Sequence, residues 1–226
     1  MKNVLGFTKR LLIYLIGLLI IALGINISKM SGLGISPVSS IPGVLNAIWP
    51  QLTLGTMVII VYCFLVLSQV IVLRRDFKLT NILGVPVAIV FGWMVDLVGI
   101  DPKAFGHLLL NFPKPQGYIM QLVYLAASII IIGVGVFTYL KPQLVPMPAE
   151  GLAMAISQKT EKPFGNCKTA VDVSLISIAL IMQIIFLGGL SSFASGTAVV
   201  REGTILSAIC VGQVVKLIRN IINKKD

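Results

Sequence analysis

Six apolar stretches dominate this chain, at roughly 11–29, 53–73, 79–100, 117–140, 166–188 and 202–221. Each is close to the roughly 20 residues that carry a helix across the hydrocarbon core of a bilayer. Backbone polar groups must be satisfied within the segment in lipid, so such stretches read as helices. The composition agrees: 57% of residues are hydrophobic and 12% charged. A soluble domain of 226 residues has too little interior for that much apolar surface. The predicted fold class is an all-α membrane protein of about six transmembrane helices. The first stretch has no small-residue cleavage site after it and is expected to remain in the mature protein.

The formal net charge of +10 invites a nucleic-acid reading. The basic residues instead lie mostly in the short segments between apolar runs, where they set topology. With the N-terminus in the cytoplasm, only Lys29, Lys103, Lys114 and Arg201 of the 18 basic residues fall on the far side. Both termini are therefore expected in the cytoplasm, and no nucleic acid is expected as a partner. Cys63, Cys167 and Cys210 form no CxxC pair and read as small packing residues.

Two segments, 30–50 and 142–163, are too apolar for wet loops and too short to span. Ser36-Pro37 and Met147-Pro148 each place proline where a helix can begin. Helices over 37–48 and 148–158 follow. They enter the bilayer as re-entrant half-helices, with Trp49 at the outer interface, or they lie flat on the surface as amphipathic helices.

The two segments correspond. Pro37 maps to Pro148 at an offset of 111 residues, and Gly55 maps to Gly165 at 110. Gly84 and Gly92 map to Gly203 and Gly212 at 119 and 120, the difference fitting the loop Gly188–Gly196. One polytopic domain over 1–226 results, with repeat one at about 10–100 and repeat two at about 117–221. Three spans per half is an odd number, so the halves face opposite ways. Inverted repeats are common among transporters, whose sites lie between broken helices at the repeat interface.

These features come in an order that resembles the YczE/YyaS/YitT-like family of bacterial membrane proteins. In the second half it is carried by Pro148-Ala149-Glu150-Gly151-Leu152, Gly165, Lys168, Asp172-Val173-Ser174, Arg201-Glu202-Gly203-Thr204 and Gly212. In the first half it is carried by Gly32-Leu33-Gly34, Ser36-Pro37, Gly55-Thr56, Phe91-Gly92 and Asp96. It covers about residues 10–220. The resemblance implies the fold and a bacterial inner-membrane location.

Ionisable groups within spans are costly and mark candidate sites. Asp172 lies about two turns into the fifth span, with Lys168 four residues earlier on the same face. They form a site or a structural ion pair. Glu150 falls in the first turn of the second half-helix, where it caps the helix or binds a proton or cation. Arg201 and Glu202 start the sixth span as an interfacial pair or a gate. Asp96, near the outer end of the third span, is expected to snorkel to water. Backbone N–H groups at Ser36–Val38 and Pro148–Glu150 could hold an anionic group. The expected substrate-binding wall comprises Ser36, Ser39, Glu150, Lys168, Asp172 and Glu202.

No HExxH, GxSxG or Walker pattern occurs, and the single histidine, His107, reads as an interfacial surface residue. No enzyme, metal or cofactor is expected. The leading expectation is a secondary transporter of a small polar solute, an organic anion with proton coupling among the options. A non-transporting membrane scaffold or substrate-binding subunit is the second reading, and a narrow channel the third. The expected partners are the lipid bilayer and the solute, with a homodimer left open.

Overall fold

A computed structural model describes residues 2–77, 79–99, 103–106, 113, 115–188 and 198–223. His107, Lys114, Lys78 and most of the 188–196 loop lie outside them. The described chain is helical: α1 (Lys2–Ser31), α2 (Pro37–Ile48), α3 (Leu54–Leu73), α4 (Gly84–Leu97), α5 (Gly117–Leu140), α6 (Pro148–Thr160), α7 (Phe164–Phe186) and α8 (Glu202–Asn223). Among the described residues, four helices are long and apolar enough to cross a membrane: α1, α3, α5 and α7. Their outward faces carry Phe64, Ile71, Ile119, Ile130, Ile181 and Ile185, all exposed. Apolar patches of that extent are stable against lipid, not against water.

The third expected stretch is not one α-helix. Residues Leu79–Leu83 form a 3-10 turn, and α4 follows with 14 residues. The 3-10 turn rises about 2 Å per residue against 1.5 Å in an α-helix, so together they reach about 30 Å. Pro86, three residues into α4, has no N–H to continue a ladder from before Gly84, which suits a helix start there.

Glycine decides two connections. The chain leaves α1 through Gly32 (φ 69°) and Gly34 (φ 131°), conformations that side-chain-bearing residues resist. This turn docks on the start of α8, where the Gly203 N–H donates to the Leu33 carbonyl at 2.9 Å and the Ile35 N–H to Thr204 Oγ1 at 3.2 Å. At the centre, α1 lies along α5. A Cβ on Gly24 would fall 2.5 Å from Ile132 Cγ1, and one on Gly135 would fall 2.7 Å from Ile21 Cγ1. Both glycines and both isoleucines are related by the same 111-residue shift.

The neighbours follow a pattern that exchange of the halves preserves. Helix α1 packs on α4 as α5 packs on α8, and α2 on α3 as α6 on α7. Helix α3 meets α6 as α7 meets α2, and α2 touches α8 as α4 touches α6. One pair departs from the pattern. Helix α3 packs closely along α4, whereas α7 and α8 barely meet.

The α3–α4 seam is tied by a carboxylate. Asp96 is buried, and accepts hydrogen bonds from Thr53 Oγ1 at 2.7 Å and the Gly55 N–H at 2.9 Å. The expectation that it snorkels to water is thus overturned: donors on α3 lie nearer than the surface. The far side of the α7–α8 gap is held by Gln183. Its Oε1 accepts the N–H groups of Val199 and Val200, each at 2.8 Å, and its Nε2 donates to the Val200 carbonyl at 3.3 Å. Replacing Gln183 with Leu leaves two backbone donors unanswered. It should cost roughly 2 kcal/mol, read as a lower melting temperature in detergent.

Candidate functional site

The half-helices bring the candidate residues together. Helix α2 begins at Pro37, with Ser36 at its cap, and α6 begins at Pro148. Ser36 gives its helix no side-chain cap, because its hydroxyl donates to Ser39 Oγ at 3.3 Å. Helix α6 is fixed against α3 by Gln69, whose Nε2 donates to the Pro148 carbonyl at 3.0 Å. Gly151 allows that approach, since a Cβ there would sit 2.8 Å from the same nitrogen. The α6 start therefore presents Glu150 toward the centre of the bundle.

A cavity of about 400 Å³ lies beside it. Its wall includes Ser36, Pro37 and Val38 from the start of α2, and Met147, Ala149 and Glu150 from the start of α6. Phe164, Lys168, Thr169 and Asp172 of α7 face Ser207, Val211, Gly212 and Val215 of α8 across it. The gap between α7 and α8 is thus one side of the cavity. Ile21 and Ile25 of α1, Tyr62 of α3 and Ile132 of α5 close the rest. The wall also takes in Leu140, the last residue of α5, and Phe164, the first of α7. The cavity therefore runs toward the end of the bundle where those helix termini lie.

Lys168 Nζ donates to Asp172 Oδ1 at 2.6 Å, one turn along α7. Both groups are partly buried. Glu150 accepts the Tyr139 hydroxyl of α5, and Tyr139 packs edge-on against Tyr14 with ring centroids 5.9 Å apart. Tyr14 in turn donates to the Val145 carbonyl at 2.8 Å, pinning the loop before α6. Tyr62 lies flat against Phe91, centroids 5.7 Å apart, and is fully buried. Among the described residues its hydroxyl is the one buried side-chain polar atom without a hydrogen-bond partner.

Of the six residues expected on the wall, Ser36, Glu150, Lys168 and Asp172 line this cavity. Ser39 sits one step behind it, fully buried and joined to the wall through Ser36. Glu202 stands apart. It pairs with Arg201 at 3.1 Å and is half exposed, while Arg201 Nη1 donates to the Gly32 carbonyl at 3.1 Å. Its partner is its own chain neighbour, which holds it at the α8 start, away from the cavity. The sequence reading passed over Tyr62 and Tyr139, which it counted with the apolar spans. A tyrosine in mid-span is itself a signal, because its hydroxyl needs a partner where no water is at hand.

Helices of this length and polarity, enclosing a charged cavity, define a multi-pass membrane protein. The chain belongs to the family of unknown function DUF6198, whose model matches residues 8–220. It is similar to the uncharacterized protein YyaS of Bacillus subtilis (strain 168), with 26% identity over 171 residues, 75% of this chain and 79% of that one. The YyaS-like resemblance read from the motifs is borne out. No solved structure matches the chain.

Proposed function

We propose that this protein is a proton-coupled secondary transporter of a small organic solute in the bacterial inner membrane. The carrying observation is the cavity: it collects the starts of both short helices, a carboxylate and an ion pair in an otherwise apolar bundle. A charge at the bilayer centre costs at least roughly 2.5–3.5 kcal/mol on insertion scales, so unspent polarity there points to cargo.

In this reading the six spans are α1, α3, residues 79–97, α5, α7 and α8, with α2 and α6 as re-entrant half-helices. Both termini are cytoplasmic, and the cavity opens toward that side. The halves are inverted repeats. Support comes from the neighbour pattern that survives their exchange, and from the Gly24–Ile132 and Gly135–Ile21 contacts at a common offset. Inverted halves place a site at their interface.

Glu150 is the coupling residue. Tyr139 of α5 donates to it, Tyr62 of α3 and Lys168 and Asp172 of α7 share its cavity, and Tyr14 of α1 backs Tyr139. Proton binding changes the charge of this wall by one unit, which alters its preference for a charged solute.

The test is flux through sealed vesicles holding only the purified protein. A panel of radiolabelled small organic acids and amines, driven by an imposed pH gradient, should include one solute with saturable, gradient-dependent uptake. Flux that never saturates would favour a channel. Absence of flux for every solute, with the protein folded and inserted, would favour the scaffold reading.

A further inference from the structure

We infer that the cavity is built for an organic amine, a cationic nitrogen on an apolar body; the inference rests on the transporter reading for its function but not for its chemistry. The charges come first. The wall carries two carboxylates, Glu150 and Asp172, against one ammonium, Lys168. Lys168 is committed to Asp172 at 2.6 Å. Among the described residues no basic side chain forms an ion pair with Glu150, whose side-chain donor is the neutral Tyr139 hydroxyl. With both carboxylates ionised, the side chains of the wall sum to one negative charge. The positive end of α6 is answered by Glu150 itself, in that helix's first turn.

The second observation is independent of charge. Tyr62 is one of the residues lining the cavity, and its hydroxyl is buried and unpartnered among the described residues. A buried hydroxyl left without a partner is destabilising. A ligand donor in the cavity is one partner that would answer it. A primary ammonium has three N–H donors and no acceptor. The wall offers the Glu150 carboxylate and the second oxygen of Asp172, and an ammonium that displaces the Tyr62 ring slightly would add the Tyr62 oxygen as a third acceptor. A carboxylate solute would instead face two carboxylates, with Lys168 already paired and only the uncapped α2 start to offset the repulsion. The organic anion that the sequence reading allowed fits this wall poorly.

The rest of the lining sets the body of the ligand. Ile21, Ile132, Val136, Met154, Phe164 and Val211 present hydrocarbon and an aromatic ring. A volume of about 400 Å³ is at the small end for organic ligands, which suits one ring or a short alkyl chain.

The experiment compares two tritiated probes of matched body, 2-phenylethylamine and 3-phenylpropionate, for binding to the purified protein in detergent. The amine should bind saturably and at least tenfold more tightly than the acid. Tyr62→Phe, which keeps the ring stacked on Phe91, should weaken amine binding about tenfold, and Glu150→Gln by more. Equal or tighter binding of the acid, binding of neither probe, or an unchanged affinity in Tyr62→Phe would overturn the assignment. Uptake into vesicles separates the two readings. Amine binding without transport removes the transporter and keeps the amine site. Transport of the acid alone removes the amine site and keeps the transporter.

Discussion

Glu150→Gln should abolish pH-driven uptake while leaving the protein folded. The side chain has two jobs that this substitution separates. As an acceptor for the Tyr139 hydroxyl and a polar group at the α6 start, glutamine replaces it almost atom for atom. As a group that gains and loses a proton, glutamine cannot replace it at all. A cap alone would cost about 1 kcal/mol or less when neutralised. The melting temperature in detergent should then shift by only a few degrees, and uptake should survive. Loss of gradient-driven uptake with melting nearly unchanged, while solute exchange at saturating concentration and equal pH survives, is the signature of coupling. Full transport in the variant would sink that role for Glu150, whatever the cavity carries.

Gly55→Ala should be the most damaging of the single-methyl changes in the two seams. The added Cβ would meet the Gly92 carbonyl oxygen at 2.1 Å and Asp96 Cγ at 2.5 Å. Neither can step aside, because one is backbone and the other is held by two hydrogen bonds. Helix α3 would be pushed off α4, and Asp96 would lose both donors while still buried. Overpacking costs typically 1–3 kcal/mol, and a stranded carboxylate adds to it, so a total of about 3 kcal/mol or more is expected. A melting temperature lower by about 10 °C would follow for a chain this long. The corresponding changes in the second half, Gly165→Ala and Gly212→Ala, meet nothing within 4 Å. They should leave melting unchanged or raise it slightly, since alanine favours helix. An equal fall in all three variants would refute the difference between the seams.

Much of the frame was legible because lipid leaves the chain few options. The apolar runs at 53–73 and 117–140 match α3 and α5 to within one residue at each end. Proline at 37 and 148 marked the short-helix starts correctly, since its missing N–H costs nothing there. The Lys168–Asp172 pair followed from helical spacing alone.

What escaped was set by tertiary neighbours. Asp96 was placed by its distance from the end of its own helix, but Thr53 and Gly55 across the seam decide its direction. Glu202 looked like a cavity residue from its position in the chain, and Arg201 holds it elsewhere. Tyr62 carried a signal in its residue type alone, because a single hydroxyl in an apolar run has no period. The shape of the third span turned on a 3-10 turn, which hydropathy does not distinguish from an α-helix.

The difference between the seams has a structural meaning. Gly55 and Gly92 touch, while their counterparts Gly165 and Gly212 have empty space around them. One chain therefore holds a shut and an ajar version of the same helix pair side by side. In the transporter reading proposed above, such a protein would need no second fold to face the opposite side of the membrane: each half would already display the posture the other takes.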